Sequence, residues 1–366
     1  MANDWKNFVP HRPLEAGDPL YVKRPEGSGA ELAALVQHGF DLIAVAGPMG
    51  SGKSTELAAA AEKLRSWGTA CVVHLDQDLD MRNIEAESVY KLISTVLNSN
   101  VRQSHPGQES AESSRALLTV AHPARGHGTS IHQRLVAALR EVTRLGPLVL
   151  LVDGLEKSTE ETSRRIVNAL LDVAEEVSLV VVVPPSLVNG PTSYDLLNRA
   201  KVFPLGAICM VESEKLYDPS KRDMEGLVFF LNVATRRLGE AFLDNTQLYD
   251  FVFKASTMSG GIVRVFLQLL RDAKRYASLV ERDAPTNEDL DEAAKDHAEH
   301  LERLLGPGDI AALRAADGTS GAEIQPIERR LRFLVHGLLL EYKIDGHIVV
   351  HPAPLLRDAL ERKDAA

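Results

Sequence analysis

Residues 42–57 read LIAVAGPMGSGKSTEL. An uninterrupted aliphatic run, Leu42 to Ala46, enters a glycine-rich turn, and Thr55 to Trp67 then has the spacing of a helix. Between them Gly47, Pro48, Met49, Gly50, Ser51, Gly52, Lys53 and Ser54 satisfy G-x-x-x-x-G-K-[ST] at every fixed position, in the strand–loop–helix context that the pattern requires. Glycines let successive backbone N–H groups turn toward one centre, and the helix N-terminus adds unpaired donors and the positive end of its dipole. Such a loop is built for phosphate oxygens. Lys53 is placed for the β and γ phosphates, Ser54 for Mg²⁺, and Thr55 opens the helix beside them. ATP or ADP with Mg²⁺ is the expected ligand.

A phosphate loop of this kind needs a distant carboxylate to hold the metal's water shell, at the end of a buried strand. The stretch PLVLLVDGLEK supplies it: Pro147 to Val152 is continuously apolar, and Asp153 stands where that strand would end. Asp153 could instead cap the following helix, but Ser158 and Glu161 already form an S-x-x-E capping pattern there. Glu156 is the nearest carboxylate able to orient or deprotonate an attacking water.

The remaining composition sets limits. The 366 residues allow two or three domains, and 45% hydrophobic with 25% charged residues is ordinary for a soluble globular chain. A formal net charge of -10 works against indiscriminate binding to nucleic-acid backbones. Cys71 and Cys209 have no C-x-x-C spacing and read as core residues in a reducing cytoplasm. No apolar run approaches the roughly 20 residues of a membrane span, so no membrane association is expected.

Strand and helix patterns alternate from 40 to 212, with strands at Asp41 to Ala46, Ala70 to Leu75, Leu148 to Val152, Leu179 to Val183 and Val202 to Met210. This alternation predicts a parallel sheet with helices on both faces. The polar stretch 98–130 has no period and reads as a functional insertion or a disordered one, its His105, His122 and His127 lacking any metal-ligand spacing. From 213 to 304 apolar residues recur at three- and four-residue spacing, predicting a helical domain whose last helix carries a Thr286–Asp289 capping box. Gly306-Pro307-Gly308 marks a hinge. The segment 305–366 then reads as two short helices, a hairpin about Asp345-Gly346 and a final helix, the order of a winged helix. Residues 1–39 form a separate N-terminal segment.

A P-loop domain, a helical lid and a winged helix in this order resemble the STAND branch of the AAA+-related ATPases, neighbours of the origin-recognition ATPases. The resemblance implies an ASCE-type sheet and spans about residues 19 to 362. Tyr21, Val22 and Arg24 match an aromatic–aliphatic–arginine segment on the adenine side, and LLVDGLEK matches an acidic strand-end box with Asp153, Gly154 and Glu156 in register. Lys157 replaces the acid often found last in that box, which implies slow hydrolysis. In SGGIVRVFLQLL, Gly260, Gly261 and Arg264 match a second-sensor helix whose arginine faces phosphate; a solvated helix-face charge is the alternative. Pro184 and Pro185 occupy the place of the first sensor, with Ser186 the nearest polar substitute. His351 matches a winged-helix histidine that touches the β-phosphate of ADP, although Pro352 departs from the usual acidic neighbourhood and a hydrogen-bonded structural role is the alternative. Arg199, in LLNRAKVF, falls where such ATPases place a finger toward a neighbour, or it is a helix C-terminal charge favoured by the dipole.

The expectation from residues and resemblance together is an ATP-binding, slowly hydrolysing switch. It would assemble as a homo-oligomer or signal to a separate effector protein, and bacterial defence, including antiviral defence, is the setting the resemblance implies. The competing class is a DNA-binding loader or transposition-type regulator, for which Arg329, Arg330 and Arg332 would face phosphates; the acidic chain does not favour it. A small-molecule kinase would leave the last 150 or so residues without a purpose.

Overall fold

The computed structural model describes residues 4–104, 108–122, 129–190, 193–210, 224–239, 246–344 and 346–362. Five parallel strands, β1 (Leu42–Ala46), β2 (Thr69–His74), β3 (Leu148–Asp153), β4 (Ser178–Val182) and β5 (Lys201–Pro204), form one sheet in the order β2-β3-β4-β1-β5. Ala44 lies opposite Val181 of β4 on one side and Val202 of β5 on the other. Every residue of β1 and β3 is buried, because helices cover both faces. On one face α1 (Gly29–Gln37) and α2 (Lys53–Leu64) pack Leu32, Val36, Leu57 and Leu64 against Ile43, Val45, Leu151 and Val182. The other face receives Ala44, Leu150, Val152 and Val181 and is covered largely by helices that fall between β2 and β4.

Those helices are α3 (Leu75–Asp78), α4 (Ala86–Ser104), α5 (Gln108–Ala121), α6 (Ile131–Thr143) and α7 (Glu160–Ala174). Most of the stretch expected as a functional or a disordered insertion is therefore helical. Val101, Leu117 and Val120 are buried at widely separated positions, and Ser94 Oγ donates to the Leu117 carbonyl at 2.5 Å. Small and polar residues between the few apolar ones hide the helical period. His122 lies just after α5, whereas His105 and His127 lie outside the described residues.

Two further expectations are corrected. Helix α7 begins one residue later than anticipated, so its N-cap is Thr159, whose hydroxyl accepts the Thr162 N–H at 3.2 Å. Ser158 instead bonds the Leu155 carbonyl and the Ser163 hydroxyl. The last strand stops at Pro204, not Met210, because its neighbour β1 has already turned into the phosphate loop. Two short helices, α8 (Ser186–Asn189) and α9 (Tyr194–Arg199), precede that strand.

Helices α10 (Met224–Leu238), α11 (Thr246–Met258), α12 (Val263–Leu279) and α13 (Asn287–Glu302) surround a second core in which the Phe230 and Phe266 rings lie 4.7 Å apart. The capping box on α13 forms, with the Thr286 N–H 2.7 Å from Asp289 Oδ2. Phe8 is buried in the same core and Trp5 packs on it, so the N-terminal segment is shared between units. Finally α14 (Asp309–Ala316), α15 (Ile327–His336), the antiparallel pair β6 (Leu339–Ile344) and β7 (His347–Pro352), and α16 (Arg357–Glu361) enclose a C-terminal core. Thr319 makes an isolated bridge to Val350. Asp345, half of the anticipated turn, lies outside the described residues. Among the described residues no helix is long and apolar enough to cross a membrane.

Candidate nucleotide site

The loop between β1 and α2 opens into a cleft of about 350 Å³, lined by Met49 to Glu56, by Asp153, Glu156 and Lys157, by the N-terminal segment and by helices α10 and α12. Gly50 has φ 83°, and a Cβ there would come within 2.6 Å of the Arg264 Cβ. Glycine is therefore required both for the turn and for the close approach of α12.

Lys53 is buried at the start of α2, and its Nζ donates to the carbonyls of Gly47 at 3.1 Å and Pro48 at 3.0 Å. Burial lowers its pKa, against the opposing pull of Glu156 and Asp153. An ammonium tethered to the loop and facing two carboxylates is poised for an anionic ligand. Asp153 ends β3, two strands from β1 across β4. Its burial opposes ionisation, but the nearby polar groups of His74 and Ser54 outweigh that and hold the carboxyl below its ordinary range. His74 Nδ1 stands 3.3 Å from Asp153 Oδ2, while Oδ1 is buried without a partner among the described residues. A serine hydroxyl and an ionised carboxylate with a spare oxygen fit a hard divalent cation such as Mg²⁺.

Glu156 sits on a 3-10 turn, Leu155–Lys157, that follows Gly154. Burial raises its pKa and the charge of Asp153 adds to this, while Lys53 works in the other direction; its Oε2 has no partner among the described residues. Gly154 has φ 92°, and a Cβ would lie 2.5 Å from Asp76 Oδ1. The same Asp76 forms an ion pair with Lys157, which stands in the position where an acid was expected. Arg264, second residue of α12, donates its backbone N–H to the Gly50 carbonyl at 3.2 Å, which brings the first turn of α12 directly onto the phosphate loop. Its side-chain Nε is buried without a partner among the described residues.

Tyr21, Val22 and Arg24, expected on the adenine side, divide in two. Tyr21 and Val22 line the cleft together with Phe229, Val233 and Leu267, and the Tyr21 hydroxyl donates to Glu56 Oε2 at 3.0 Å. Burial raises the Tyr21 pKa, and Glu56 adds to the effect. Arg24 is a brace: its guanidinium donates to the carbonyls of Ser51 and Gly206, tying the loop to the chain beyond β5. Thr55 Oγ1 accepts the Leu14 N–H at 3.2 Å and so anchors the N-terminal segment at the cleft.

Three sequence candidates lie elsewhere. Arg199, at the end of α9, is on the surface 3.4 Å from Glu175. Ser186 begins α8 and is buried outside the cleft. His351 is not among the residues that line the cleft. The β-hairpin register sets it opposite Leu340, where it is wholly buried, with Nδ1 2.7 Å from Asp317 Oδ1.

Sequence reasoning missed His74, Asp76, Glu56 and Arg237. His74 had a legible signal, since it directly follows the aliphatic run of β2, parallel to the run that ends at Asp153. The other three gain their meaning only from contacts across the fold.

Residues 30–183 match the AAA ATPase domain family. No curated protein matches. Among solved structures, the Aeropyrum pernix ORC2 protein in its ADP form is similar with a TM-score of 0.51 and 13% identity, covering 98% of this chain and 96% of that one. This shows a shared fold. Weaker likenesses are the Aeropyrum pernix ORC1 protein in complex with DNA, at TM-score 0.44 and 13% identity over 93% of this chain and 94% of that one, and the Thermotoga maritima RuvB Holliday junction branch migration motor, at 0.41 and 12% over 94% and 99%.

Proposed function

We infer, from the match of residues 30–183 to the AAA ATPase domain family, that this protein is an ATP-driven nucleotide switch in which α10–α13 act as a lid and the C-terminal unit as a winged helix that reads the lid's position. The observation that carries this reading is the segment 260–264, which bonds the phosphate loop, the stretch after β5 and strand β6. Arg264 N–H bonds the phosphate loop at Gly50, the Gly261 carbonyl accepts the Ile208 N–H at 3.0 Å, and the Gly260 carbonyl accepts the Tyr342 hydroxyl at 2.7 Å. A change at the γ-phosphate that moves Arg264 therefore reaches β6 through three residues. In the site, Lys53 and Arg264 would hold phosphate, Ser54 and Asp153 would hold Mg²⁺, and Glu156 would orient the attacking water. Bound Mg²⁺ would supply charge neutralisation on the phosphates.

The test is direct. Lys53→Ala should weaken ATP binding at least tenfold, as expected for a charge-assisted contact worth about 1.5 to 3 kcal/mol. Glu156→Gln should retain ATP while turnover falls. Calorimetry and a phosphate-release assay read the two effects, and wild-type affinity in Lys53→Ala would remove the basis of the reading.

The switch would signal by assembling with further copies or by engaging a separate effector, with bacterial defence as its setting. Arg199 is exposed at the end of α9, the kind of position from which a finger would reach a neighbouring copy. Arg199→Ala should lower hydrolysis with little effect on ATP affinity, and mixing it with Lys53→Ala protein should restore part of the activity. Absence of rescue would leave Arg199 as a surface ion-pair residue. The alternative, DNA binding through α15, is weakened by where its arginines point: Arg329 and Arg332 pair with buried Asp309, and Arg330 pairs with Glu341. Cations already engaged inside the fold release few counterions from DNA.

A further inference from the structure

Residues 9–14 run between two anchors on different parts of the molecule. Upstream, Phe8 is buried in the core of α10–α13 with the Trp5 ring stacked on it at 5.1 Å; downstream, the Tyr21 hydroxyl bonds Glu56 on α2. Between them Pro10 to Leu14 line the cleft, yet His11, Arg12 and Pro13 are also exposed to solvent. The span is thus one residue thick, with ligand space on one side and water on the other. Pro10 and Pro13 have a fixed φ and no N–H, so this stretch is stiff and has little to give to a hydrogen-bond ladder. Arg12 N–H turns back to the Val9 carbonyl at 3.4 Å, and Leu14 N–H reaches Thr55 Oγ1 at 3.2 Å. Among the described residues the Leu14 contact is the span's one hydrogen bond to another element, and it falls on the helix that begins at the phosphate loop. A segment with so few ties opens at small free-energy cost. Gly17, exposed and with φ 74°, supplies a turn about which it can move.

We propose that residues 9–14 are a strap that controls nucleotide exchange, parting from Thr55 to admit ATP and release ADP and closing over the bound nucleotide between its two anchors. The proposal rests on the cleft being the ATP site and adds a means of regulating it. Because the upstream anchor is in the core of α10–α13, a movement of those helices tightens or slackens the strap. A strap that only closes the route changes the barrier, so entry and exit slow by the same factor and affinity stays as it was. A wall that grips the nucleotide changes affinity instead, chiefly through dissociation.

Stopped-flow binding of a fluorescent ADP, carrying a methylanthraniloyl group on its ribose, tests this on the full chain with a protease recognition sequence inserted between Ala16 and Gly17. Cutting the folded protein frees the strap at its downstream end, and the uncut chain is its own control. Association and dissociation should both quicken about tenfold on cutting, a barrier change of about 1.4 kcal/mol, and their ratio, the Kd, should stay the same. In a chain without the insertion, Pro10→Gly with Pro13→Gly should quicken both rates together by loosening the strap, which decides the matter even where the insertion does not fold. Rates unchanged by complete cutting overturn the proposal. Faster dissociation alone, with weaker binding, makes residues 9–14 a gripping wall and overturns it as well. A wild type that does not bind the fluorescent ADP refutes the ATP site and the proposal together, whereas one that binds it and keeps its rates after cutting refutes the strap alone.

Discussion

Lys157 is bonded to Asp76, and the pair straddles the turn that carries Glu156. A cation in place of an acid removes one candidate for activating water, but it also pins that turn to α3, so Glu156 is held from both sides of its own residue. Lys157→Met should therefore lower turnover about tenfold, the cost of about 1.4 kcal/mol in transition-state positioning, with ATP affinity close to wild type. The charge-swapped pair Lys157→Asp with Asp76→Lys should recover much of the loss in a phosphate-release assay. Equal damage in the single and swapped variants would mean that the residues act separately. The pair also shows where reading residues from sequence stops. The loop of Lys53 and Ser54 was legible because its chemistry is local, and Asp153 because a buried strand announces its own end. The same letters LEK gave no hint of Asp76, 81 positions away from Lys157, since an ion pair across the fold has no spacing to recognise.

Between elements, α12 and α13 are joined by Asp272, whose Oδ2 lies 3.0 Å from His297 Nε2. Burial opposes charge on Asp272, but the hydrogen bond from His297 and the nearby charge of Arg271 prevail and lower its pKa. A carboxylate depressed in the folded state contributes stability above its unfolded pKa and loses it as pH falls through the folded value. Asp272→Asn should thus cost about 1 kcal/mol near neutrality, and the difference from wild type should fade as the solution is acidified below the ordinary aspartate range near about 3.9. Urea midpoints across that range check it, and a difference unchanged in strong acid would assign the loss to something other than charge. At this scale the sequence was a good guide wherever one residue class repeats at one period. The four helices of 224–302 and the five parallel strands have that property. It failed for α5, whose buried positions are few and whose other residues are mostly Ser, Glu and Ala, and it overran β5 because nothing in 205–210 reveals that the neighbouring strand has ended.

At the scale of the molecule, the Tyr342 hydroxyl is a side-chain link between β6 and the Gly260-Gly261 turn. Tyr342→Phe should remove about 1 kcal/mol from that contact while leaving the ATP cleft intact. The expected outcome is faster proteolytic cleavage between the helical and C-terminal units, with unchanged ATP affinity and a smaller difference between the ADP and ATP states. If proteolysis in both nucleotide states matches the wild type, coupling does not run through this bond. The strands and helices themselves were readable from the succession of periods along the chain. The way they close on one another was not, because the joints are backbone carbonyls of glycine and a few side chains that carry no pattern.

The placement of Trp5 and Phe8 in the core of α10–α13, with Pro10 to Leu14 lining the cleft, bears on how the protein is made. A chain is synthesised from its N-terminus at about 5 to 20 residues per second, so the first dozen residues leave the ribosome long before their packing partners exist. The parallel sheet can assemble once β5 has emerged, yet one wall of the cleft must wait for Phe229 to Arg237 and another for Arg264. Nascent chains stalled before α10 should therefore fail to retain ATP, and nucleotide capture would wait for α10 and α12 to emerge.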